Sequence, residues 1–124
     1  MIDFQNGSLF KLKQVNKEEV SSMLSSLLLP EEEILGVYKG IRDSVTFTSK
    51  LIIALNVQGL TGKKKDFTTL PYSKIQAFSV ETSGTLDIDS ELEIYFSGLG
   101  KVKFEFAGNC DIVNIGKTIG TYIL

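Results

Sequence analysis

A chain of 124 residues, 43% hydrophobic and 23% charged, has the size and composition of one ordinary globular domain, which excludes the disordered and fibrous classes. It can bury about two thirds of its unfolded surface in a single core. A net charge of −2 speaks against nucleic-acid binding, and with no histidine and one cysteine, Cys110, an internal disulfide, tetrahedral zinc, a thiolate cluster and imidazole base catalysis all drop out.

Residues 1–14 mix the turn formers Asn6, Gly7 and Ser8 with Phe4, Leu9, Phe10 and Leu12, and read as an arm that packs on the body or on a neighbour. They lack the basic and apolar regions of a signal peptide, and the single thiol fits a reducing cytoplasm. From Asn16 the pattern turns helical: Val20, Met23, Leu24, Leu27 and Leu28 form one apolar stripe at the 3.6-residue period. Asn16 is placed to cap this helix, with Glu19 completing a capping box and Val15 stapling onto Val20, and Pro30 ends it.

Glu33 to Ile41 reads as a first strand, Arg42-Asp43-Ser44 as a turn, and Val45 to Thr48 alternates at period two. Leu51 to Val57 is apolar nearly throughout, as in a strand covered on both faces, and a packed terminal helix is the natural cover. That run is far short of the roughly 20 apolar residues a membrane helix needs. Two turn-rich knots, Gln58 to Gly62 and Glu81 to Gly84, frame a polar strand from Lys63 to Leu70, a turn at Pro71-Tyr72-Ser73 and a short apolar strand from Ile75 to Val80.

Leu86 and Ile88 alternate with Asp87 and Asp89, and the clearest hairpin follows. Leu92, Ile94 and Phe96 on one strand and Val102, Phe104 and Phe106 on the other make a wholly apolar face. A three-residue loop, Gly98-Leu99-Gly100, would set Tyr95 opposite Lys103 with Glu93 diagonal to it, so that acidic and lysine-rich outer faces attract. Asn109 is placed to cap a final amphipathic helix carrying Ile112, Ile115, Ile119 and Tyr122 or Ile123.

No catalytic set emerges. Asp87-x-Asp89-x-Glu91 begins like a calcium loop but has Leu92 where glycine must turn the chain and Gly98 where a glutamate belongs. The hydroxyls of Thr82, Ser83 and Thr85 lack a base partner, so a turn bonding its own backbone accounts for them. Lys63-Lys64-Lys65 is the one basic run, and a lysine-guarded strand edge explains it better than a headgroup site. Gly116-x-x-x-Gly120 lets the last helix sit close on a sheet, and Cys110 reads as a buried, inert thiol.

This order of elements resembles a pleckstrin-homology-like barrel, and the chain is similar to the bacterial pleckstrin-homology family, long a domain of unknown function. The likeness is carried by Tyr38-Lys39-Gly40-Ile41-Arg42-Asp43, Phe47-Thr48-Ser49-Lys50-Leu51-Ile52, Gln58-Gly59-Leu60-Thr61-Gly62-Lys63-Lys64, Leu70-Pro71-Tyr72-Ser73-Lys74-Ile75 and the stretch from Phe78 to Leu92. It implies a mainly β fold: about seven antiparallel strands in two near-orthogonal sheets, capped by a C-terminal α-helix, with an additional N-terminal helix.

A single domain over 1–124 is expected, with arm and helix over 1–29, barrel over 33–107 and C-terminal helix over 110–123. The resemblance also implies a non-catalytic assembly module, without cofactor or metal, that forms homo-oligomers, rings among them. Val20, Met23, Leu24 and Leu27 are the candidate contacts between copies. A free sheet edge would accept a neighbouring copy, a peptide or another protein. The alternative is a peripheral membrane or anionic headgroup site at Lys39, Arg42, Lys63, Lys64 and Lys65.

Overall fold

The computed structural model describes residues 1–5, 9–84, 89–108 and 110–124. In chain order it contains β1 (Leu9–Val15), α1 (Glu18–Leu24), β2 (Ile34–Lys39), β3 (Asp43–Thr48), β4 (Leu51–Gln58), β5 (Lys64–Pro71), a 3-10 turn (Tyr72–Lys74), β6 (Ile75–Glu81), β7 (Ser90–Phe96), β8 (Gly100–Phe106) and α2 (Ile112–Ile123). The fold is mainly β, as expected, but with eight strands joined edge to edge in the order β5-β4-β3-β2-β1-β8-β7-β6.

The extra strand comes from the segment read as an arm. β1 lies antiparallel to β2 and parallel to β8, so it is the seam between a four-strand half and a three-strand half. Leu12 on this strand is fully buried in the main core, and the neighbouring Lys11 sits at φ 56, where the β1–β8 register shifts. A non-glycine residue at positive φ interrupts regular alternation, which is why the segment does not advertise itself as a strand. Ahead of it Phe4 enters the same core, edge-on to Phe104.

Two apolar clusters hold the molecule. The larger fills the inside of the curved sheet with Val45, Phe47, Ile52, Leu92, Ile94, Phe104 and Phe106, and is closed by Ile112, Ile115 and Ile119 of α2. Those three residues recur every three or four positions, so one face of α2 is buried, each side chain contributing about 1.5–3 kcal/mol. The smaller cluster lies on the opposite face of the four-strand half. There Val20 and Leu24 of α1 pack on Val37 and Ile53, with Val15, Leu28 and Phe67 at the margin. The apolar run of β4 is thereby covered on both faces, and the covering helix is the N-terminal one.

Several boundaries differ from the sequence reading. α1 stops at Leu24 and spans only seven residues. The Ser21 and Ser25 hydroxyls bond back to the carbonyls of Glu18 and Ser22, the local competition that shortens serine-rich helices. The N-cap is Lys17, not Asn16, and among the described residues no side chain caps that end, although Val15 and Val20 do share a cluster. α2 is capped by Asp111, whose carboxylate accepts from the Asn114 N–H at 3.1 Å. The proposed cap Asn109, the turn formers Asn6, Gly7 and Ser8, and the alternation of Leu86, Asp87 and Ile88 lie outside the described residues.

In the β7–β8 hairpin the loop is Ser97-Gly98-Leu99, and Phe96 pairs with Gly100. Tyr95 therefore faces Lys101 and Glu93 faces Lys103, two residues from the expected register. A shift of two leaves each side chain on its original face, so pattern alone does not distinguish the registers. Gly98 and Gly100 both adopt positive φ, and the turn they make decides the matter. The attraction between the faces persists as diagonal pairs, Lys103–Glu91 at 3.2 Å and Lys101–Glu93 at 3.7 Å.

Candidate functional site

Three surfaces gather the residues with unspent chemistry. The first is at one end of the four-strand half, where the β2–β3 and β4–β5 turns meet α1 around a depression of about 360 Å³. Val20, Met23, Leu55 and Val57 supply apolar walls, and Lys39, Arg42 and Asp43 a polar side. Ile41 and Leu60 stand at the two turn tips, 97% and 103% exposed.

The cations here are already engaged. Arg42 Nη1 donates to the Gly59 carbonyl at 2.9 Å and the Val57 carbonyl at 3.5 Å, bracing the β4–β5 turn. Lys39 Nζ lies 3.8 Å from Glu19 Oε1 on α1, and Asp43 accepts from the Asn56 amide. Lys63, Lys64 and Lys65 are exposed at and just before the start of β5, outside the lining of the depression. The sequence-predicted basic set is thus divided, with Lys39 and Arg42 beside the depression and the three lysines on a sheet edge.

Of the candidate contacts between copies, Val20 and Leu24 are buried against their own sheet. Met23 is half-buried in the depression, and Leu27 is exposed. Ile41 and Leu60 were not singled out from the sequence; each stands alone between turn formers, and an isolated apolar residue at such a tip was the available signal.

The second surface is the free edge of β6. This strand pairs with β7 on one side and ends the sheet on the other. Ile75 is buried and Phe78 half-buried, while Gln76, Ala77, Ser79, Val80 and Glu81 are exposed. Helix α2 covers its inner face closely: a Cβ on Gly116 would stand 3.2 Å from Val80 Cγ1, whereas Gly120 has open space and does not take part. Nothing along β6 before Glu81 carries a charge.

The third surface is the outer face of β6, β7 and β8 beside that edge. Glu81 faces Glu91, which faces Glu105, making a row of carboxylates across three strands. Like charges directly opposite one another are destabilising. Lys103 relieves the middle of the row, and its ion pair with Glu91 holds its ammonium above the ordinary pKa. Glu81 and Glu105 make no salt bridge among the described residues. Asp87, one of the calcium-loop residues, lies outside the described residues.

Two buried phenols and a thiol are further reactive groups among the described residues. Burial pushes the Tyr38 hydroxyl up to about 12, helped by Cys110 and Asp111, and burial also raises Tyr72, helped by Tyr122 and Glu32. The Tyr72 hydroxyl donates to the Thr48 carbonyl at 2.9 Å and its ring stacks on Tyr122, so it ties β3 to α2. Cys110 is half-buried, its thiol 3.4 Å from the Ala107 carbonyl.

Comparison with known proteins agrees with this architecture. Residues 3–123 match the bacterial PH domain family. The chain is 38% identical over 118 residues to the uncharacterized protein YjqA of Bacillus subtilis, covering 94% of each. It is also similar to two crystal structures. One is a DUF1696 family protein with a pleckstrin-homology domain from Shewanella loihica, 36% identical, with a TM-score of 0.80 over 95% of this chain and 100% of that one. The other is a pleckstrin homology domain from Shewanella amazonensis, 38% identical, with a TM-score of 0.68 over 96% of this chain and 94% of that one. With the match running over nearly its whole length, this chain belongs to the bacterial PH domain family.

Proposed function

We propose that this bacterial PH domain is a non-catalytic interaction module that assembles with copies of itself through the edge of β6. One observation carries the reading: a seven-residue strand ends the sheet with an exposed, uncharged run up to Glu81. Such an edge presents a row of main-chain donors and acceptors, and soluble proteins ordinarily blunt it with lysine, proline or a covering element. Here α2 covers the inner face of the strand and leaves the edge itself free to add another strand. Light scattering at micromolar concentration tests this, with a mass above one chain expected. A single-chain mass at every concentration overturns it.

A second reading is favoured by the exposed tips Ile41 and Leu60. Two apolar side chains beside Lys39, Arg42 and the lysines of β5 suit a peripheral contact with an anionic bilayer, each lysine near the surface adding about 1 kcal/mol. Cosedimentation with phosphatidylserine vesicles at moderate salt decides it. Pelleting that is lost in Ile41→Ser/Leu60→Ser supports the reading, and no pelleting of the unmodified protein ends it.

A further inference from the structure

We infer that the β6 edge also receives an extended segment of a different protein, with a basic residue for the outer face and apolar residues for the inner face, and that this segment competes with self-assembly. The inference rests on the reading that β6 adds a strand, and it names the chemistry of the partner.

The inner face asks for apolar side chains. Val80 pairs with Leu92 and Phe78 with Ile94. Leu92 and Ile94 are fully buried, yet Val80 is 36% exposed and Phe78 only half-buried beneath α2. The helix comes close at Gly116, where a Cβ would meet Val80 Cγ1 at 3.2 Å, while one turn on Gly120 has open space and one turn back Val113 is exposed. A strand added to β6 sends alternate side chains onto this uncovered apolar border.

The outer face asks for a cation. Glu81 opposes Glu91, which opposes Glu105. Lys103 serves Glu91 at 3.2 Å, whereas Glu81 and Glu105 make no salt bridge among the described residues. A lysine or arginine opposite Glu81 extends the row with attraction in place of repulsion. In an antiparallel segment that basic residue comes first, followed by an apolar residue opposite Val80, a polar one opposite Ser79 and an apolar one opposite Phe78.

A second copy meets these demands less well. β5 is blunted by its lysines and by Pro71. Two β6 edges paired about a twofold axis centred on Phe78 set Glu81 opposite Ile75 and leave the carboxylate row uncompensated. A foreign segment carrying the cation therefore displaces a copy from the edge.

The probe is a fluorescein-linked peptide, KVTVTT, titrated with the unmodified protein and read by anisotropy. Saturable binding is expected, and EVTVTT should bind roughly threefold to tenfold more weakly. Glu81→Lys should invert that preference, and its binding of EVTVTT also shows that the variant is folded. Excess KVTVTT should lower the scattering mass of the assembled protein to that of one chain. No binding of KVTVTT, a preference that Glu81→Lys leaves unchanged, or binding that leaves the assembled mass in place overturns the inference while self-assembly stands. A single-chain mass of the unmodified protein at every concentration overturns self-assembly alone, because the charge preference of the peptide is read without it.

Discussion

β5 and β6 terminate the same sheet, yet they are built differently. β5 begins with Lys64 and Lys65, ends at Pro71, holds Asp66 against the Met1 amino group at 2.9 Å and tucks Phe67 under α1. Among the described residues β6 has none of these devices along its edge and is covered on its inner face by α2. The contrast extends inward. In the four-strand half both faces are occupied, so that Ser44, Thr46 and Thr48 of β3 are buried along with Val45 and Phe47. In the three-strand half the outer face is open and charged. A molecule built this way covers one half on both faces and leaves the outer face of the other open among the described residues.

The largest expected effect is at the strand that both halves share. Leu12 is fully buried on β1, and Leu12→Ala removes a core side chain where the sheet would otherwise part. A loss of about 2–5 kcal/mol is predicted, measured by urea unfolding. Next is the contact of α2 with β6. Gly116→Val places a branched side chain where Val80 Cγ1 already stands 3.2 Å from a Cβ, and should destabilise by about 1–3 kcal/mol while loosening β6 specifically.

Alkaline pH probes the satisfied half, where Tyr38 lies on β2 and Tyr72 follows β5. A phenol that ionises at an ordinary 10.0 when unfolded but at about 12 when folded leaves the unfolded state with fewer protons between those values. Its contribution is therefore complete below pH 10.0 and lost as the pH rises through about 12. The thermal midpoint should fall across that window in step with tyrosinate absorbance, and Tyr38→Phe should flatten the fall. The smallest change in stability, within about 0.5 kcal/mol, is expected for Ala77→Lys on the exposed side of β6. It gives β6 the guard that β5 already has, and it should abolish the self-assembly proposed for that edge while leaving the unfolding midpoint in place.

Most of this architecture can be read from residue patterns. β7, β8 and α2 are legible because Leu92-Ile94-Phe96, Val102-Phe104-Phe106 and Ile112-Ile115-Ile119 follow the periods of strand and helix without interruption. β1 is not, since Lys11 breaks its alternation and its pairing partners are distant in sequence. The apolar stripe of α1 looks surplus until Val37 and Ile53 are seen to need cover on their outer face, a fact of sheet geometry that periodicity does not carry. The same holds for the surfaces. Lys39 and Arg42 read as free cations because Glu19 and the carbonyls of Val57 and Gly59 come to them only through folding. The carboxylate row needs the register of three strands before Glu81, Glu91 and Glu105 are neighbours.

The most direct test of the unfilled edge is amide hydrogen exchange of the unmodified protein, followed residue by residue from nanomolar to micromolar concentration. Amides of Ile75 to Glu81 that point away from β7 should exchange freely when dilute and become protected as concentration rises. Exchange across β6 that does not change with concentration, with new protection confined to another surface such as α1, would contradict the account.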